Sequence, residues 1–371
     1  MRTYVRWLVA TVLYVTAAQF AFVAFVQNPG NPQTFEKARL PDMVDGTAHR
    51  PFVYRTLLPT TVRLIEAAMP DAWHARLTEF IPKWGPAKTL FSSTRAEEEQ
   101  APVTYLISYA LSFAALIGFA VVLRAAIAHF YSPPSLVSDA LPAAALAFLP
   151  VMYCYVSYPY DLPQLFFFSL GLLLLAQRRW WAFYPIFLLG MFSKETTALL
   201  VMIHVFGHVG RMPNRTLIAH ASGQLAVVVV VRALLQFVLF ADNPGAPFEF
   251  WLARNWAIIT DSGQWCDLFL NFVWVGRSSL VLPTGFNVLY LLIVPLVFYR
   301  WSAKPQLLRR AIWIAPLLVV LAFFLGYVDE VRAFYEPYIV IFLLASGTAC
   351  DVANVPARAT PPMQSDEPSD G

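Results

Sequence analysis

Uncharged apolar runs of roughly twenty residues recur along this chain, and they constrain its fold more than any other feature. About twenty residues, each rising about 1.5 Å, cross a hydrocarbon core about 30 Å thick. Lipid offers no partner for open backbone groups, so such runs cross as helices. The runs are Trp7–Val26, Val103–Leu123, Ala140–Tyr160, Leu162–Gln177, Trp180–Ser193, Thr196–Gly210, Thr216–Phe240 (interrupted only by Arg232), Ser278–Tyr299, Ala311–Val328 and Ala333–Cys350 (carrying Glu336 near its start). They predict an all-α fold, a polytopic transmembrane helix bundle of about ten spans. The first run follows Arg2 and Arg6 like a signal peptide, but it is long and lacks a good cleavage signal, so it reads as an uncleaved anchor.

Composition supports the same class. Only 13% of the residues are charged and 58% are hydrophobic, which excludes a disordered chain and argues against a water-soluble enzyme. A net charge of +3 is too small to call for a nucleic-acid partner. Cys154, Cys266 and Cys350 form no metal or disulfide framework.

Orientation follows from the short loops, where Lys and Arg favour the cytoplasm. With both termini cytoplasmic, the inner segments carry Arg2, Arg6, Arg124, Arg178, Arg179, Arg211, Arg215, Arg300, Lys304, Arg309 and Arg310. The short outer segments carry Lys194, Arg254, Arg277 and Arg332. This bias requires Trp180–Gly210 to be two short helices with a turn at Ser193–Glu195, because one long helix would send Arg178 and Arg211 to opposite sides. The arms are short, so the turn is expected below the membrane surface, covered by protein or lining a wet cavity. Residues 1–350 then form one helical domain, with outer loops at 27–102 and 241–277 and a disordered tail at 351–371. In the first loop Val53, Leu57, Leu58, Val62, Ile65 and Met69 recur at helical spacing, and Trp73, Leu77, Phe80 and Ile81 repeat the pattern. Both read as amphipathic helices, either lying on the outer leaflet or capping the bundle.

Ionisable residues in or near a span cost several kcal/mol, roughly, unless paired or wetted, so each is a functional candidate. Asp161 sits at an outer turn, where capping the following helix is the alternative role. Lys194 and Glu195 mark the recessed turn, where Lys194 could meet Asp161 or a lipid phosphate. Asp329, Glu330, Arg332 and Glu336 crowd a late outer turn, with Glu330 and Arg332 too close in sequence for a helical ion pair. Arg232 interrupts an apolar helix and either snorkels outward or faces the bundle and holds an anion. Asp42, Asp45, His49, Arg50, Tyr54 and Arg55 are the densest polar group of the first loop. His204 and His208 share a helix face with His220 near by, but no carboxylate accompanies them, so they do not read as a metal site.

A one-sided polar group beneath a long loop suits an enzyme working at the outer leaflet. The stretch Tyr158-Pro159-Tyr160-Asp161-Leu162-Pro163-Gln164-Leu165, running into Phe166, Phe167 and Phe168, resembles the outer turn and helix of polytopic membrane glycosyltransferases of the GT-C superfamily. Trp180–Ser193 followed by Lys194-Glu195-Thr196 is similar to the helix after it, and the long first loop and late turn also resemble that layout. The resemblance implies a polyprenyl-phosphate-linked sugar donor, transfer at the extracytoplasmic face, and an acid of the first outer loop as base. By analogy the base is Asp42 or Asp45, although Asp42 lies further beyond Val26 than the superfamily's acid lies beyond its first span, with Glu36 as a weaker substitute. Arg50, Arg55, Lys194, Arg232 and Arg332 are the cations for the phosphate, with Asp161, Glu195 and Glu330 beside them. No cofactor is called for, though a divalent metal is compatible with the acids. The expected partners are the lipid bilayer and the sugar donor, and the expected location is a bacterial inner membrane. Two other functions fit the same residues: a transporter or flippase of an amphiphilic anion, and a non-catalytic membrane scaffold.

Overall fold

The computed structural model describes residues 2–27, 36–85, 101–153, 158–264, 271–274, 281–284 and 289–353. Cys154, Trp265, Cys266, Arg277 and residues 354–371 lie outside the described residues, while Asp351 and Val352, expected to begin a disordered tail, continue the last helix.

Six segments are helices long and apolar enough to cross a membrane: Tyr4–Gln27, Pro102–Tyr131, Ser135–Met152, Asn214–Leu239, Gln306–Leu325 and Val331–Val352. In chain order the helices are α1 (Arg2–Gln27), α2 (Leu40–Asp45), α3 (Leu57–Ala68), α4 (Asp71–Phe80), α5 (Pro102–Tyr131), α6 (Ser135–Phe148) and α7 (Asp161–Ala176). Then come α8 (Trp180–Ser193), α9 (Leu199–His208), α10 (Asn214–Ala233), α11 (Leu252–Thr260) and α12 (Leu289–Phe298). The last are α13 (Gln306–Ala311), α14 (Ile314–Leu325) and α15 (Tyr335–Val352). Among the described residues, the departure from an all-α fold is a hairpin of β1 (Asn271–Trp274) and β2 (Val281–Thr284), paired antiparallel with Asn271 opposite Thr284.

The chain is a multi-pass helical bundle with an apolar exterior. Val12, Val229, Val230, Phe237, Val238 and Val320 are all exposed, Phe237 to 70%. Soluble proteins rarely leave such side chains in contiguous patches, whereas a lipid-facing wall requires them. At the centre is α7, which buries residues on every face, among them Leu162, Leu165, Phe168, Leu172 and Leu175. It packs between α5, α8 and α15, while α10 lies at the periphery and buries only Leu217, Gln224 and Val231.

The break expected inside Trp180–Gly210 is present. Helix α8 ends at Ser193, Lys194 is extended (φ −162°, ψ 141°), a 3-10 turn covers Glu195–Ala198, and α9 follows. The two arms are antiparallel, since Trp180 at the start of α8 lies 5.2 Å from the His204 ring and 6.3 Å from the His208 ring near the end of α9. Gly190 permits the tight return, because a Cβ there would come within 2.8 Å of the Thr197 side chain. The tip is covered by protein, with Ser193, Lys194 and Thr197 all buried.

Basic residues assigned to one side gather at one end of the helices. Arg6 and Arg124 both bond Asp139, each at 2.6 Å, tying α1 and α5 to α6. Helix α3 packs on α5 and α8 through Leu58 and Val62 and leaves Leu64 and Ile65 exposed, so it caps the bundle and still presents an apolar edge. The segments around Gly46–Arg50 and Ala241–Asn243 latch together. Asn243 donates to the carbonyls of Gly46 (2.8 Å) and Ala48 (2.9 Å), and Arg50 donates to that of Ala241 (3.0 Å).

Candidate functional site

At the other end of the bundle, five segments far apart in sequence bring their charges together. Asp161 opens α7 and is fully buried. Its carboxylate accepts from Lys194 Nζ (3.4 Å), Arg332 (3.1 Å) and the backbone N–H of Tyr158 (3.1 Å). The capping alternative therefore fails, because the amide it satisfies belongs to the preceding turn and not to its own helix. Arg332 also donates to Glu330 at 2.7 Å. The close sequence spacing of that pair does not prevent contact, since Val331–Phe334 is a 3-10 turn and the helical spacing rule does not apply there.

Arg55 follows the short Phe52–Tyr54 turn and lays its guanidinium across Glu195, at 2.9 and 3.4 Å, while also donating to the Tyr160 hydroxyl. The Tyr158 and Tyr160 rings stack 5.1 Å apart, with Arg332 4.4 Å from the first and Arg55 4.7 Å from the second. Two guanidiniums thus bracket a tyrosine pair, a cation–π arrangement that fixes both forks in direction. Burial pushes the Glu195 carboxyl up, but the adjacent Arg55 charge and hydrogen bonds outweigh it and hold its pKa at about 2. Burial likewise lowers the Arg55 pKa, and Glu195 with Tyr160 reverses that and raises it. Both groups are charged at neutral pH.

Arg232 faces the site and does not snorkel away. Its guanidinium sits 4.9 Å from the buried Tyr54 ring and 5.8 Å from Phe248, in the segment between α10 and α11. It forms no ion pair with a carboxylate of the described residues, unlike Arg55, Lys194 and Arg332. Immediately after it, Leu234–Leu239 widens into a π-helix, a distortion that recurs at functional sites.

Asp42 and Asp45 lie on α2, half-buried and exposed respectively, and neither is bonded to the charged cluster. Their helix is joined to the segment of Arg232 only through intervening aromatic rings. A Cβ on Gly46, next to Asp45, would lie 3.5 Å from Phe240, whose ring is 6.5 Å from Tyr54. Arg50 serves the loop latch. Asp329 is drawn away to Arg254, which grips it with two bonds of 2.9 and 3.0 Å. Asn255 holds the same late turn by donating to the carbonyls of Ala322, Phe323 and Gly326.

Glu336 is fully buried and accepts from Thr196 and from Gln164 (3.3 Å), which also donates to Thr197 (3.0 Å). Sequence reasoning singled out Glu336 but missed Gln164 and the two threonines. A glutamine one turn into an apolar helix was the available signal. Among the described residues, no group of three or more His, Cys, Asp or Glu side chains is placed to hold a metal ion. His204, His208 and His220 instead surround Trp180, with the His220 ring stacked on it at 4.0 Å.

No family model, curated protein or solved structure matches this chain.

Proposed function

We propose that the protein is an integral membrane glycosyltransferase that takes sugar from a polyprenyl-phosphate-linked donor at the extracytoplasmic face. The observation that carries this reading is the unpaired Arg232 on a lipid-facing helix, next to a rigid array of paired cations. A lipid-linked phosphate would enter along the apolar wall of α10 and meet a guanidinium already held on two aromatic faces. Asp161, Glu195 and Glu330 hold Lys194, Arg55 and Arg332 in fixed orientation, so their field stabilises the departing phosphate with little rearrangement.

In the reaction an acceptor hydroxyl attacks the anomeric carbon, and the carbon–oxygen bond to phosphate breaks. The acceptor proton passes to a carboxylate, for which Asp45 or Asp42 is available at the rim. The charges lie at helix ends, whereas a carrier would place them at mid-membrane within broken helices. The reading includes about ten crossings, both termini in the cytoplasm and a bacterial inner membrane. On this reading the shorter apolar helices α7 and α8, with α9 and α12 as parts of longer segments, would make the crossings beyond the six long ones.

Mass spectrometry of lipids that co-purify in mild detergent tests the donor site. A polyprenyl phosphate enriched with the wild type and lost from Arg232→Ala is expected. Bulk phospholipid alone, identical in both, would remove the support for a lipid-phosphate donor.

A further inference from the structure

The end of the bundle opposite the charged site carries a second basic cluster with different electrostatics. Arg178 and Arg211 from two loops and Arg309 and Arg310 from the last turn of α13 converge there, and none of them pairs with a carboxylate of the described residues. Arg310 is fixed by donating to the carbonyls of Phe206 (2.9 Å) and Val209 (2.7 Å) at the end of α9. Arg309 Nε is buried without a hydrogen-bond partner. Burial lowers the Arg211 pKa, and the like charges of Arg310, Arg309 and Arg178 add to the effect. Compare Arg6 and Arg124, at the same end, which share the Asp139 carboxylate. Like charges crowded in this way raise the free energy unless an anion joins them.

A cleft opens beside this cluster. It has a volume of about 490 Å³ and is lined by Met202, Phe206, Val209, Arg310 and Trp313. Its wall is apolar apart from the one guanidinium, and Phe206, Val209 and Trp313 are also exposed on the bundle's exterior. An apolar trough that ends at a group of cations matches the two parts of an anionic diacyl phospholipid. The chain would lie along the trough, and the headgroup phosphate would sit among guanidinium forks.

We propose that this cleft is a binding site for an anionic phospholipid, with Arg211 and Arg309 contacting the phosphate and Met202, Val209 and Trp313 contacting an acyl chain. This site is separate from the donor site and does not depend on the glycosyltransferase reading. The lipid supplies the missing negative charge and ties α9 to α13 and α14.

The test uses the full chain, delipidated in neutral detergent, with native mass spectrometry and thermal unfolding as readouts. Probes are phosphatidylglycerol, phosphatidylcholine and inorganic phosphate. The wild type is expected to retain phosphatidylglycerol in preference to phosphatidylcholine and to unfold at higher temperature when it is added. Arg211→Gln with Arg309→Gln should weaken phosphatidylglycerol binding roughly twenty-five-fold, about fivefold per guanidinium removed. A second variant, Val209→Trp, fills the exposed cleft and keeps every charge, so it should weaken lipid binding while the protein folds as before. Equal retention of the two lipids, or equal phosphatidylglycerol binding by wild type and both variants, would overturn the proposal. Stabilisation by inorganic phosphate equal to that by phosphatidylglycerol would also overturn it, because the cluster would then be a site for soluble phosphate.

Discussion

Lys194 and Asp161, 33 residues apart in the chain, meet at 3.4 Å in the interior, where Asp161 is fully enclosed and Lys194 is 6% exposed. The contact joins the tip of the α8–α9 hairpin to the first turn of α7, and Arg332 joins the 3-10 turn before α15 to the same carboxylate. Removing one partner of a buried pair leaves a charge without compensation and costs about 3–5 kcal/mol. Asp161→Ala is expected to reach or exceed that range, since it strands two cations. Folded yield and denaturation in nanodiscs check this. The double variant Asp161→Asn with Lys194→Met should be less damaged than the sum of its two single changes.

The Arg55–Glu195 pair has a pH signature. The folded-state pKa of Glu195 is depressed to about 2 from its ordinary value of 4.5, so the stability it adds is present above pH 4.5 and lost as pH falls toward 2. The side chain is 37% exposed and therefore screened, which keeps the effect modest. Unfolding temperatures of wild type and Glu195→Gln are expected to differ at pH 7 and to converge on acidification through this window.

Arg232 is expected to matter for activity far more than for stability. Cation–π contacts at part-exposed sites contribute about 0.5–1 kcal/mol, and no ion pair within the described residues is broken by its removal. Arg232→Ala should shift the unfolding temperature by little and lower sugar transfer at least tenfold, since a charge contact made to the leaving phosphate contributes roughly that much. Arg232→Lys should recover part of the transfer, as a point charge replaces a fork.

Gly190→Ala tests the turn between α8 and α9. The new Cβ would lie 2.8 Å from Thr197 Cγ2 and 3.0 Å from Oγ1, so the tip carrying Lys194 must shift. A loss of about 1–3 kcal/mol is expected from such overpacking. Adding Thr197→Ser removes the closer atom and should restore part of that loss, measured as unfolding temperature.

The hairpin turn at Ser193–Glu195 and the shared end of Arg6 and Arg124 were legible in the sequence, because loop arginines report side and run lengths report crossings. Asp161, Lys194 and Arg332 were legible as candidates because a charge in an apolar setting stands out. Their pairing was not, since Asp161 and Arg332 are 171 residues apart and no local period encodes such a contact. Arg55 looked like a loop residue, and only the fold sets it across Glu195. The Asn243 latch was invisible for another reason: its acceptors are backbone carbonyls, which every residue has. The roles expected of Asp42 and Asp45 came from resemblance alone, and the structure places both carboxylates apart from the charged cluster.

The most direct measurement is sugar transfer itself. Proteoliposomes containing the purified chain would receive radiolabelled polyprenyl-phosphate hexose, with membranes from cells lacking the protein as the source of acceptor. Label moving from the donor to a new product, with polyprenyl phosphate released in equal amount, is the expected result. Transfer should fall at least tenfold in Arg232→Ala and should also fall in the double variant Asp42→Asn with Asp45→Asn. If the donor crosses the bilayer or remains bound with its sugar bond intact, in wild type and variants alike, the account is contradicted, and the charged cluster belongs to a carrier or a scaffold.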